Sequence, residues 1–133
     1  MEISTVGSDE YYLVHSLSSP ALGLDGRLYL PVSEHEGPGI GWNDYLYCLN
    51  QDGKAVWRVD VGPSPSKPIV SADNLVIIGN KLGEVVVIDR DGQVKWWLQV
   101  SNSKVTKMLL GPNLRVYVQC DDGTIYAIEE AGA

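Results

Sequence analysis

The stretch VVVIDRDGQVKW, Val85–Trp96, sets the reading of the chain: an apolar run enters an Asp-Gly turn, and a tryptophan follows four residues after the glycine. The same order stands earlier as YCLNQDGKAVW, Tyr47–Trp57, and starts again from Tyr126 as YAIEEAGA. Gly53 and Gly92 are 39 residues apart, as are Trp57 and Trp96, while Gly83–Gly123 and Ile88–Ile128 are each separated by 40. Pro20 and Pro68 are 48 apart, the same period with roughly nine residues inserted.

A period near 40 made of short β segments is expected of propeller blades, four strands to a blade. Val, Ile, Leu and Tyr dominate the segments, and turn residues interrupt them every few positions, so no helical periodicity develops. Twelve strands are expected: Tyr11–His15, Pro20–Leu24, Arg27–Val32 and Tyr45–Asn50, then Ala55–Val61, Pro68–Ser71, Leu75–Gly79 and Glu84–Asp89, then Val94–Val100, Val105–Leu110, Arg115–Cys120 and Thr124–Glu129. Asp-Gly at 25–26, 52–53, 91–92 and 122–123 supplies the positive φ of tight hairpins. The fold class is all-β, one propeller module over residues 1–133 with repeat units of approximately 11–50, 51–89 and 90–130.

Composition narrows the partners. The 133 residues carry 10 basic against 17 acidic side chains, a net charge of −7 that repels phosphate backbones and anionic lipid. Neither nucleic acid nor membrane insertion is expected. Met1–Glu10 has no basic residue, so no signal peptide is read there, and a soluble chain of unknown compartment is expected. Cys48 and Cys120 fall within apolar strands at different repeat positions and read as buried thiols.

In register, Leu49, Asn50, Gly53 and Trp57 match Ile88, Asp89, Gly92 and Trp96, and Ile128, Glu129 and Gly132 begin a third copy. This corner resembles the tryptophan-docking motif of the PQQ-like (quinoprotein-type) repeat propellers, as does Ser19-Pro20 followed by Asp25–Leu30. The resemblance implies that the tryptophan opens the outermost strand of a blade and stacks between blades. Leu49, Gly53, Trp57, Ile88, Gly92 and Trp96 would then be structural docking residues. An indole suits that place because it fills the widening gap between twisted radial sheets. A β-sandwich with ordinary core tryptophans would not produce a fixed period.

Three blades do not close a ring. A second copy, or the rest of a larger propeller, is therefore expected to complete it. In the twofold version the strand at Tyr11 pairs with Thr124–Glu129 of the other copy. Tyr11, Trp97 and Ile125 are the candidate interface residues; Trp97 must face away from Trp96 if both lie in a strand.

The insertion Ser33–Asp44, SEHEGPGIGWND, is read as a loop that could meet a partner or ligand through Glu34, His35, Glu36, Trp42 and Asp44. One histidine among carboxylates has no fixed ligand spacing, so a metal site is set below a solvated loop. No nucleophile elbow or cysteine–histidine pair occurs, and the carboxylates of Asp121-Asp122 and Glu129-Glu130 are sequence neighbours that point apart in a strand. The quinone enzymes that share the scaffold use adjacent cysteines and a calcium site, for which the sequence has no match. No cofactor, quinone with calcium included, is expected. The function expected is a non-catalytic interaction or assembly scaffold; the alternative is a piece of a quinoprotein-like dehydrogenase or ligand-sensing propeller whose active blades lie elsewhere.

Overall fold

The structure, a computed structural model, describes residues 14–129. It is all-β, as expected: β1 (Val14–Ser16), β2 (Ala21–Leu22), β3 (Leu28–His35), β4 (Trp42–Leu49), β5 (Ala55–Val59), β6 (Ile69–Val70), β7 (Val76–Gly79), β8 (Glu84–Ile88), β9 (Val94–Gln99), β10 (Val105–Leu110), β11 (Val116–Cys120) and β12 (Ile125–Ile128). Tyr11 lies outside the described residues.

The strands form three antiparallel sheets. Blade 1 is β2-β3-β4-β5, with β1 beside β2 on the same edge of β3; blade 2 is β6-β7-β8-β9; blade 3 is β10-β11-β12. The outermost strands β5 and β9 are the two that contain Trp57 and Trp96. Each of these blades thus takes its outer strand from the sequence repeat that comes after it.

Two apolar clusters hold the sheets face to face. Tyr29, Leu46 and Cys48 of blade 1 meet Val76, Ile78, Val86 and Ile88 of blade 2. Ile77, Val85 and Val87, on the opposite side of blade 2, meet Val105, Met108, Val116, Val118 and Cys120 of blade 3. Blade 2 is covered on both sides, which is why β7 and β8 are near-continuous apolar runs instead of alternating ones. Cys48 and Cys120 are free and sit in different clusters, and burial pushes both thiols up.

The recurring corner is built the same way twice. The Asn50 carboxamide oxygen accepts from the backbone N–H groups of Asp52 and Lys54 (2.9 and 3.0 Å), and the Asp89 carboxylate accepts from Asp91 and Gln93 (2.9 Å each). Such side-chain-to-backbone bonds set the turn before the glycine takes its positive φ. Between turn and tryptophan, each outer strand carries a bulge. Cys48 pairs with Trp57 but Leu49 with Ala55; Val87 pairs with Trp96 but Ile88 with Val94. The extra residue, Val56 or Lys95, re-aims the strand so that the indole faces the next blade.

Two expectations are corrected. Ser33–Asp44 is not a loop: β3 and β4 stay paired through Ser33↔Asp44, Glu34↔Asn43 and His35↔Trp42, leaving only the tip at 36–41. Eight-residue strands with alternating side chains are stabilised by cross-strand pairs to their ends. The described end of the first expected strand is also not a free outermost strand. It pairs inside blade 1, Val14↔Glu34 through Ser16↔Val32, because the extended β3 offers it an edge.

Candidate functional site

The lock between blades 1 and 2 is formed by Trp57. Its indole N–H donates to the Arg90 carbonyl at 3.0 Å, and the Arg27 guanidinium donates to the same oxygen at 2.8 Å. Gly92 lies beneath the ring; a Cβ there would stand 2.8 Å from Trp57 Cγ, and its φ of +84° is itself a glycine conformation. Tyr29 tilts against the indole at 5.9 Å, and burial pushes its hydroxyl up to about 12. Asp25 lies 3.4 Å from Arg90 Nε and 3.8 Å from Arg27 Nε. Leu49 and Ile88, the apolar residues expected at the same corner, are buried at the ends of β4 and β8.

Trp96 occupies the equivalent place on blade 2 but is 40 % exposed. It lines a cleft of about 190 Å³ with Leu75, Ile77, Val116 and Ile128. The residues in register with Arg27 and Tyr29 are Leu75 and Ile77 here, and those in register with Arg90 and Gly92 lie outside the described residues. Trp97 points to the other flank of β9, at 60 % exposure, beside Asp60, Val61 and Glu84.

The blade 1 hairpin divides the five residues singled out from its sequence. On one side Glu34, only 8 % exposed, accepts from the Tyr47 hydroxyl at 2.7 Å and from Arg58. Glu36 accepts from Tyr45, whose ring lies 4.2 Å beneath the Arg58 guanidinium. Burial and the bond to Glu34 together push the Tyr47 hydroxyl up to about 12. On the opposite side His35 stacks edge-on against Trp42 at 5.1 Å, and its Nδ1 accepts from the Gly37 N–H. Asp44 accepts from the Ser64 N–H at 2.8 Å, tying the hairpin to the connection between β5 and β6. Strand alternation therefore separates the histidine from Glu34 and Glu36. Among the described residues no group of three His, Cys, Asp or Glu side chains is placed to hold a metal ion.

Several residues of these networks do not stand out in the sequence. Tyr45, Tyr47 and Arg58 are three of the five members of the hairpin cluster. Asn80, fully buried, donates to the Val61 carbonyl and Glu84 and accepts from the Leu82 and Glu84 N–H groups. Its signal is nonetheless present: Asn80-x-x-Gly83 repeats the spacing of Asn50-x-x-Gly53 and Asp89-x-x-Gly92.

Blade 3 differs from its siblings. Among the described residues it has three strands, and the side of it turned away from blade 2 is uncovered. Lys107, Gln119 and Ile125 form one cross-strand row of that side, and Leu109, Tyr117 and Ala127 the next. Leu109 is 58 % and Ile125 67 % exposed. The positions of Tyr117, Ile125 and Ala127 are held in blade 1 by Tyr29, Leu46 and Cys48, and in blade 2 by Ile77, Val85 and Val87, all buried against the next blade.

Antiparallel blades packed face to face, from a repeat near 40 residues, make an arc of a PQQ-like β-propeller. The chain belongs to the family described as outer membrane protein assembly factor BamB, whose model matches residues 43–133. In structure it is similar to BamB from Moraxella catarrhalis, with a TM-score of 0.56 at 14 % sequence identity over 85 % of this chain. The chain spans 43 % of that structure, less than half its length. No curated protein matches in sequence. Among the described residues no helix is long and apolar enough to cross a membrane.

Proposed function

We propose that the chain is a non-catalytic PQQ-like propeller module, a protein-interaction or assembly scaffold whose ring is completed by further blades. The observation that carries this is the uncovered side of blade 3. It holds Tyr117 and Ile125 at positions that blades 1 and 2 bury against a neighbour, with Leu109 exposed beside them. Apolar residues clustered on one sheet face mark a surface made to be covered. The family's description as an assembly factor supports the same reading. Completion comes from a second copy or from the remaining blades of a larger propeller, and the blade 1 hairpin offers a further contact through Trp42, 44 % exposed.

Titrating pyrroloquinoline quinone with calcium while monitoring thermal unfolding tests this. The unfolding temperature is expected to stay constant across the titration. A saturable rise would contradict the scaffold reading and favour a piece of a quinoprotein-like dehydrogenase.

A further inference from the structure

Two exposed tryptophans, Trp42 and Trp97, stand at the junction of blades 1 and 2. The connection between β5 and β6 runs between two depressions there, and Asp60 and Gly62 line both. The first, of about 330 Å³, is completed by Trp42 and Asp44 of the hairpin and by Pro63. The second, of about 220 Å³, is completed by Glu84, Val86, Val94 and Trp97. Trp97 comes to this side because it pairs with Val86, which faces blade 1. Three carboxylates are fixed in place here. Asp44 accepts from the Ser64 N–H at 2.8 Å, Asp60 from the Gly62 N–H at 2.9 Å and Glu84 from the Asn80 carboxamide at 2.9 Å. The second oxygen of each makes no hydrogen bond or ion pair among the described residues. No Lys, Arg or His lines either depression: His35 packs on Trp42, and Lys81, whose N–H bonds to the Pro63 carbonyl, lies outside both linings.

We propose that this junction binds a basic segment of a protein partner, one Lys or Arg side chain entering each depression between an indole and the carboxylates; this deepens the scaffold reading and rests on it. A cation is attracted both to an indole face and to a carboxylate, and each depression supplies both. The polar lining decides the class of ligand. Its side chains are Asp44, Asp60, Glu84 and Asn43, and the three carboxylates accept hydrogen bonds without donating any. A sugar hydroxyl needs donors as well as acceptors and finds Asn43 alone to supply them. An acidic segment would meet like charge. The junction is also independent of how the ring is completed. Its residues come from blade 1, the β5–β6 connection and blade 2, so stacking further blades on blade 3 does not cover it.

Fluorescence anisotropy of a labelled hexa-arginine peptide, titrated with the chain at physiological ionic strength, tests this. Saturable binding is expected, weakened about fivefold by Trp97→Ala and about fivefold by Asp60→Asn, the scale of one cation–indole or one exposed charge contact. Both residues are exposed, and asparagine keeps an acceptor for the Gly62 N–H, so the variants stay folded, which circular dichroism verifies. Asp73→Asn makes the same charge change in the β6–β7 turn, at the other end of the blade, and is expected to leave binding unchanged. Absence of saturable binding would overturn the proposal. So would an equal loss for Asp73→Asn, which reduces the binding to net charge, or saturable binding of neutral cellohexaose that Trp97→Ala abolishes and Asp60→Asn does not. A peptide that fails to bind, with an unfolding temperature that the quinone leaves unmoved, removes this surface and keeps the scaffold reading.

Discussion

Trp57→Ala is expected to destabilise the chain by about 3 kcal/mol, and Trp96→Ala by only about 1 kcal/mol, although both stand at the same place in the repeat. At blade 1 the indole fills the gap above Gly92, packs on Tyr29 and satisfies the Arg90 carbonyl. Its loss removes a packed aromatic and leaves a hole between two blades held apart by Tyr29 and Arg27. Trp96 already borders an open cleft and is 40 % exposed, so truncating it removes fewer contacts. Urea unfolding of both variants gives the comparison through the shift in midpoint at unchanged slope. Equal losses would mean that the tryptophan acts through its own strand and not as a lock between blades.

The second large effect is an asymmetry in the hairpin cluster. Arg58→Ala is expected to cost about 3 kcal/mol, while Glu34→Gln costs about 1 kcal/mol. The side chain of Glu34 is only 10 % exposed, whereas that of Arg58 is 44 % exposed. Removing the arginine therefore leaves a buried carboxylate with the Tyr47 hydroxyl alone. Neutralising the glutamate leaves a guanidinium that reaches water, the Tyr45 ring and Glu36. Breaking a buried pair costs most when the survivor cannot be solvated. Thermal unfolding of the two single variants checks the order, and a larger loss for Glu34→Gln would contradict it.

The same two places show what can be read from residue order. The corner is legible because its parts are local: Asn50 or Asp89 builds the turn, glycine takes positive φ, and the tryptophan comes at a fixed offset. Local chemistry of this kind repeats visibly along a chain. The partner of the indole is not legible, because the Arg90 carbonyl that accepts from it lies in another blade, 33 residues on. The hairpin reads as a loop in sequence because Gly37, Pro38, Gly39 and Gly41 suggest turns throughout. Those residues occupy only the tip, while Glu34 in β3 and Glu36 just beyond it meet Tyr45, Tyr47 and Arg58 on one side of the sheet. The openness of blade 3 is invisible in composition, since Tyr117 and Ile125 look like core residues in sequence. Only comparison of equivalent positions in three sheets shows that one set is uncovered.

The uncovered side of blade 3 carries the proposed scaffold function. The Thr124 carbonyl accepts from the Cys120 N–H, so the alternation of an antiparallel ladder turns the Ile125 and Ala127 amides to the outer edge of β12. Hydrogen exchange of these two amides, with and without further propeller blades supplied in trans, is the most direct measurement of the proposed scaffold function. Rapid exchange is expected of the chain alone, with protection once the added blades supply an outer strand to this edge and bury Leu109 and Tyr117. Exchange that stays rapid with those blades present would contradict the proposed completion of the ring.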